Sequence, residues 1–163
     1  MAVVIADAGP LIALAKLEKL DLLPALFGKV LATQAVVDEC SKGSGHDAVL
    51  IQEVFRTEGF RCIDTPDFKH ALSRSLGVGE LSCIEFALQQ SAESVLLIMD
   101  DALARKQALR LQLNIVGTAA LLFVAEKKGL IADAESFIEL LNKSGHRISP
   151  SVVTILKKKH SSK

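Results

Sequence analysis

Apolar residues occur along this chain in short runs. Val3-Val4-Ile5-Ala6 is β-prone and stops at Asp7; the Ala8-Gly9-Pro10 turn follows, and Leu11, Ile12, Leu14 and Ala15 then fall at helical spacing. Further short runs stand at Lys29-Val30-Leu31-Ala32, Phe60-Arg61-Cys62-Ile63, Val95-Leu96-Leu97-Ile98-Met99 and Asn114-Ile115-Val116, each separated from the next by segments of helical spacing. Strand-like runs alternating with helical ones predict an α/β domain: a mainly parallel sheet of about five strands with helices on both faces.

The helical segments carry their own punctuation. After Gly79, Leu81, Ile84 and Leu88 recur on one face, which puts Glu80 in the first turn of that helix. Thr118 is placed to N-cap a helix through Leu121, Leu122 and Val124, with Gly129 as its stop signal. Ser41-Lys42-Gly43-Ser44-Gly45 reads as a flexible loop, and a last helix is expected after Ile148-Ser149, with Pro150 in its first turn. Residues 1–156 then form one domain, and 157–163, with Lys157, Lys158 and Lys159, a frayed basic tail. No internal repeat is present.

Composition narrows the class. The chain has 163 residues, a usual single-domain length. No apolar stretch reaches the ~20 residues that cross a bilayer. The N-terminal run has no basic region before it and meets Asp7 at once, so it is not a signal peptide, and the protein is expected in the cytoplasm. Cys40, Cys62 and Cys83 have neither disulfide nor zinc-ligand spacing, and His46, His70, His146 and His160 are scattered; all seven read as structural residues. The 19 basic and 19 acidic residues cancel, so a polyanion would have to be held by a local patch. Phe is the only aromatic type, which argues against an extensive base-stacking platform.

Candidate chemistry lies where strands end. In an open parallel sheet, ligands sit beyond the carboxyl ends of the strands. The first run delivers Asp7 there, and Val95–Met99 delivers Asp100 and Asp101; Glu80 opens the helix before that strand, and Glu39 lies in the segment after the second strand. Each acid also has a local explanation, as a helix cap or a first-turn charge suited to the helix dipole. Their recurrence at successive strand ends favours a shared site. Two unit charges ~4 Å apart repel by about 4 kcal/mol at an effective dielectric near 20. A cluster of such acids therefore needs raised pKa values or a cation. With oxygen ligands and no nearby Lys or Arg before Asp101, Mg²⁺ or Mn²⁺ is the natural choice.

These same stretches carry a resemblance. Val3 to Glu39, Leu76-Gly77-Val78-Gly79-Glu80-Leu81-Ser82, Leu96–Asp101 and Val116-Gly117-Thr118-Ala119 together resemble a PIN domain, and more narrowly the prokaryotic DUF3368 branch, which is similar to toxin ribonucleases of the VapC type. The resemblance implies a three-layer α/β/α sandwich and an acidic pocket that binds Mg²⁺ or Mn²⁺ for RNA hydrolysis. By motif, Asp7 matches the first acid, Glu39 the second and Glu80 the third, while Asp100 and Asp101 share the last acidic position. All five are candidate catalytic residues, and Asp7, Glu80, Asp100 and Asp101 candidate metal ligands, with Asp7 and Asp101 the first choices. Gly9 departs from the pattern, since many PIN domains carry Ser, Thr or Asn there.

Arg105, Lys106 and Arg110 follow the acidic pair and are candidate RNA phosphate contacts, Arg105 at a basic position of the family. The resemblance further implies a homodimer, a toxin–antitoxin pair and an antitoxin protein as partner. The alternative is a non-catalytic module of the same fold that binds RNA or protein. A haloacid phosphatase would need Asp at position 9, and a receiver domain an acidic pair on the first strand. A dinucleotide-binding reading fails because Gly77-Val78-Gly79-Glu80 lacks a third glycine and precedes its nearest strong strand.

Overall fold

The computed structural model describes residues 2–91 and 94–161. Five strands, β1 (Val3–Ala6), β2 (Val30–Thr33), β3 (Phe60–Ile63), β4 (Val95–Ile98) and β5 (Asn114–Val116), form one parallel sheet in the order β3-β2-β1-β4-β5. Among the described residues the helices are α1 (Ala8–Lys16), α2 (Leu22–Phe27), α3 (Gln34–Ser41), α4 (His46–Val54), α5 (Val78–Gln89), α6 (Ala102–Arg110), α7 (Thr118–Lys127), α8 (Ala134–Lys143) and α9 (Pro150–Ser161). All five expected strands are present at the expected places. The central strands are buried almost throughout, Ile5, Val30, Ala32, Leu97 and Ile98 completely, which is why their sequences run apolar instead of alternating.

The sheet order reverses direction between β1 and β4. After β1 the chain works outward through β2 to β3; it then returns to the other side of β1 for β4 and β5. The loops leaving β1 and β4 therefore diverge, and a crevice opens above their carboxyl ends. Register fixes what borders it. Ala6 pairs with Ile98 and Ile98 with Val116, and the ladder continues one step further, Asp7 N–H donating to Ile98 O at 2.9 Å and Met99 N–H to Val116 O at 3.0 Å. Asp7 thus sits level with Met99, and Asp100 and Asp101 follow directly.

Two differences from the sequence reading concern the C-terminal half. Helix α7 starts at Thr118 itself, with Gly117, which has no side chain to offer, as N-cap, and the Thr118 hydroxyl donates to Asp100. Gly129 does end that helix: at φ +75° its N–H donates to Glu126 O and Leu130 N–H to Ala125 O, a Schellman closure. Residues 157–161, expected in a tail, continue α9, and the His160 ring stacks on Phe123 at 5.7 Å. Ser162 and Lys163 lie outside the described residues.

The long connection 64–77, between β3 and α5, is tied down by Thr65, which accepts from the Ala35 amide, by Gln89, which donates to Asp67 O, and above all by one buried acid. Glu85 on α5 has no solvent exposure. Its Oε1 accepts from the Lys69 and His70 amides, both at 2.9 Å; its Oε2 accepts from Gln89 Nε2 at 2.8 Å and lies 2.6 Å from His70 Nδ1. Burial works to raise the Glu85 carboxyl, but these donors outweigh it and hold it down at about 2. A depressed acid contributes stability above its unfolded pKa, and this contribution fades as pH falls from about 4.5 toward 2. We predict that Glu85→Ala costs about 3 kcal/mol in urea denaturation at pH 7, since several charge-assisted bonds vanish together. The difference from wild type should shrink as the pH approaches 2. An unchanged midpoint would mean that the loop is held by something else.

Candidate functional site

Asp7 stands at the mouth of the crevice as the N-cap residue of α1, in extended conformation at φ −82° and ψ 169°, yet its side chain makes no cap bond. The residue is 5% exposed, and Oδ1 is buried with no hydrogen-bond partner. Burial pushes its carboxyl up to about 7; the Ala8 amide opposes this, and the charges of Glu80, Glu39 and Asp100 add to the rise. The helix-cap explanation of Asp7 therefore fails on geometry. Both of the neighbouring buried thiols are raised as well, Cys40 to about 12 and Cys83 well above its usual value, chiefly by burial, so neither supplies a thiolate at neutral pH.

Glu39 and Glu80 reach the crevice from different elements. Glu39 lies on the exposed side of α3, whose start is fixed by Thr33: its hydroxyl accepts from the Val36 amide at 3.1 Å. That hydroxyl also lies 2.7 Å from Ser82 Oγ, and Ser82 Oγ donates to Gly79 O at 2.7 Å. Because Ser82 gives its only proton to Gly79, Thr33 must donate to Ser82. The resulting buried chain, Val36 amide to Thr33 to Ser82 to Gly79 carbonyl, ties the starts of α3 and α5 together.

Gly79 keeps this junction open: a Cβ there would lie 3.0 Å from Glu39 Oε1, tight enough that Glu39 would have to shift, and 3.6 Å from Asp7 Oδ1. One point thus touches both carboxylates. Glu80, in the first turn of α5, accepts from the Gly77 amide through Oε1 at 2.9 Å; Gly77 has no side chain to return the bond, so only half of a capping box forms. Burial raises the Glu80 carboxyl, the Gly77 amide opposes, and the Asp101 and Glu39 charges raise it further.

The acidic pair after β4 divides its work. Asp101 N-caps α6, Oδ2 accepting from the Ala104 amide at 3.0 Å, and faces Glu80. Asp100 turns the other way. Its Oδ1 accepts from the Thr118 amide at 2.8 Å, and Oδ2 accepts from the Thr118 hydroxyl at 2.6 Å and lies 3.1 Å from His146 Nε2. Burial would raise Asp100, but the His146 and Thr118 bonds prevail and lower it. An ionised Asp100 makes His146 Nε2 the donor. Gly117 permits this crowding, since a Cβ there would meet Arg105 Nη1 at 2.9 Å and Asp100 Oδ1 at 3.0 Å.

The structure thus brings Asp7, Glu39, Glu80, Asp100 and Asp101 to one crevice. It does not draw them into a finished coordination set: among the described residues, no three Asp, Glu, His or Cys side chains are grouped closely enough to hold an ion as they stand. Of the basic candidates, Arg105 folds back to the site, Nη1 donating to Met99 O at 3.0 Å, while Lys106 and Arg110 lie exposed along α6. His146 and Thr118 are site residues that sequence reasoning missed. Thr118 was assigned to a cap, and no local pattern links His146 to a strand end 46 residues earlier.

A solved structure of the PIN domain endonuclease Utp24 superposes with a TM-score of 0.52 at 14% identity, covering 70% of this chain and 83% of that one. At that identity the likeness speaks for the fold. No curated protein matches the chain by sequence. The DUF3368 family model, described as a PIN domain, matches residues 3–162. Because that match takes in every strand of the sheet and every acid of the crevice, the chain belongs to the PIN domain family DUF3368.

Proposed function

We propose that this protein is a divalent-metal-dependent ribonuclease whose ion is held in the crevice between β1 and β4. The observation that carries the reading is Asp7: a buried carboxylate with an orphaned oxygen, facing further carboxylates from α3, α5 and the end of β4. A hard cation resolves both defects, giving Oδ1 a partner and offsetting the repulsion, and an all-oxygen donor set suits Mg²⁺ or Mn²⁺. Asp7 and Asp101 would hold the ion directly; Glu39, exposed, can turn toward it, while Glu80, half-buried, keeps Oε1 on the Gly77 amide. Bound there, the ion supplies charge neutralisation at the scissile phosphate and activates the attacking water.

The chain's own groups do the rest. Glu80, with its raised pKa, accepts the proton that the water loses on attack. Asp100, fixed by Thr118 and His146, contributes charge to the crevice without being free to rotate. The Arg105 guanidinium, anchored on Met99 O, keeps its remaining donors for a phosphate. RNA as the substrate rests on the family resemblance; endonucleolytic cleavage is what the name of Utp24 states of that protein. The same resemblance supports a homodimer held in check by an antitoxin, and Leu103 and Leu109, 56% and 60% exposed on α6, offer apolar area for such contacts.

Open space above Gly9, where a Cβ would meet nothing within 4 Å, favours the second reading, a non-catalytic binding module, because the side chain common in relatives is missing.

Metal linkage tests the site first. An ion that binds only the folded chain raises its melting temperature, so millimolar Mn²⁺ should shift it upward by several degrees. A flat response in both melting and calorimetric titration would rule the metal site out.

The pH dependence of the metal-free protein has a defined sign. Asp7 is raised from 3.8 to about 7, so between these values the folded chain keeps a proton that the unfolded chain releases, and stability falls as pH rises through the window. Asp7→Asn should remove that slope and raise the metal-free melting temperature at pH 8, while abolishing cleavage. Loss of stability at pH 8 would instead mean that the carboxylate serves α1 as a cap.

Activity separates the two readings. Mixed transfer and ribosomal RNA with Mn²⁺ should be cut, EDTA should stop the cutting, and Asp101→Asn or Glu80→Gln should reduce it by roughly a hundredfold or more. Cutting that survives in both variants would come from a contaminant, and none under any metal would favour the binding module.

A further inference from the structure

On the far side of Asp100 from the other acids, a cleft of about 330 Å³ opens between the ends of β4 and β5, helix α7 and the junction of α8 with α9. Its size falls at the lower end of ligand pockets, roughly 300–1,000 Å³. Its lining is aliphatic at Ala119, Ala120 and Leu156, with the exposed Val152 at its mouth, and its rim is basic, with Arg105, His146 and Arg147. No hydrogen bond or ion pair engages the exposed Arg147 side chain among the described residues.

The rim is built rather than trailing. Helix α8 ends in a Schellman motif: Gly145 at φ +94° sends its N–H to Asn142 O, and His146 N–H goes to Leu141 O at 3.0 Å. The Asn142 side-chain oxygen then accepts from the Ile148 amide at 2.7 Å, fixing the next turn. With both sides of Arg147 pinned and His146 bonded to Asp100, the segment faces the strand ends in one orientation. Asp100 is the one acid lining the cleft, and its oxygens are occupied by three donors from Thr118 and His146.

We propose that this cleft binds one nucleotide of the substrate strand beside the cut, its phosphate between Arg105 and Arg147 and its sugar and base over the aliphatic floor. The proposal rests on the nuclease reading for its substrate, but it concerns a separate binding site. Two guanidiniums suit the bidentate geometry of a phosphate, and the first turn of α9, entered through Ser149, adds a favourable dipole at the same rim. A floor without aromatic rings holds a base by shape and apolar contact, so the site tolerates any base. His146 is a positioning residue here: through Asp100 it couples the rim to the carboxylate crevice.

The test is binding without catalysis. The full chain in EDTA, at pH 7, is titrated with adenosine 5′-monophosphate, with inorganic phosphate and with adenosine, followed by amide shifts in NMR. The nucleotide should move the amide signals of Gly117, residues 146–149 and residues 151–152, and bind more tightly than phosphate or adenosine. Arg147→Ala should weaken it roughly tenfold, as loss of a charge-assisted contact implies, and Val152→Glu, which sets a carboxylate at the mouth, should do likewise. Both positions are exposed, and an unchanged melting temperature checks that the variants fold.

Shifts confined to residues 78–80, equal affinity for phosphate and nucleotide, or undiminished affinity in both variants would each overturn the proposal. The failure of the nuclease reading looks different. In that case no RNA is cut, yet the Arg147-dependent nucleotide site persists. Asp101→Asn, which leaves the rim intact, should keep nucleotide binding in either case.

Discussion

Asp7 occupies a position where burial and neighbouring charge act in the same direction. Its carboxylate is buried at the crevice mouth, one oxygen has no donor, and the charges of Glu80, Glu39 and Asp100 add to the penalty. A fold selected for stability alone would place an apolar residue or a satisfied cap here. The conflict is local and specific, and the surrounding elements are arranged so that it is not relieved by collapse. Gly79 leaves room for the carboxylates to approach, and the starts of α3 and α6 are fixed by Thr33 and Asp101 rather than by Asp7.

Two hydrogen-bond networks, one buried and one partly buried, hold that arrangement from opposite sides of β1. On the β2 side, Thr33 and Ser82 tie α3, which carries Glu39, to α5, which carries Glu80. On the β4 side, Thr118 and His146 take up both oxygens of Asp100, and Arg105 ties α6 back to the end of β4. Each network satisfies its own polar atoms, in contrast to Asp7 between them. Satisfied groups make a rigid frame, and the unsatisfied one marks where a ligand gains most. The same frame orients the α8–α9 junction, because the His146 bond to Asp100 carries the rim of the neighbouring cleft toward the strand ends.

Division of labour between Asp100 and Asp101 follows from register. Ile98 pairs with Val116, so the residue two positions on faces Thr118 and meets its amide and hydroxyl. The next residue has left the sheet and starts α6, where an Asp is a good N-cap and its second oxygen remains open to the crevice. Adjacent acids of identical chemistry thus acquire different environments from a single step along the chain.

The strands, their parallel arrangement and the acids at their ends were legible in the sequence, because burial on both faces writes continuous apolar runs and a strand end is where such a run meets its first charged residue. The starts of α5 and α9 and the stop at Gly129 were legible for the same local reason. Whether each acid is a cap or a free carboxylate was not. Asp7 lacks a cap bond while Asp101 makes one, although both stand directly before a helix, and only backbone geometry distinguishes them. Thr118 looks like a cap by sequence and instead serves Asp100, since strand register placed that acid against it. His146 carried no signal, being brought to Asp100 by a helix-ending turn and the packing of α7 with α8 and α9. Patterns of burial are written residue by residue, so the sequence by itself determined the layers and the acids they deliver. Which polar groups meet across the fold depends on pairing between distant segments, and that was decided only by the tertiary structure.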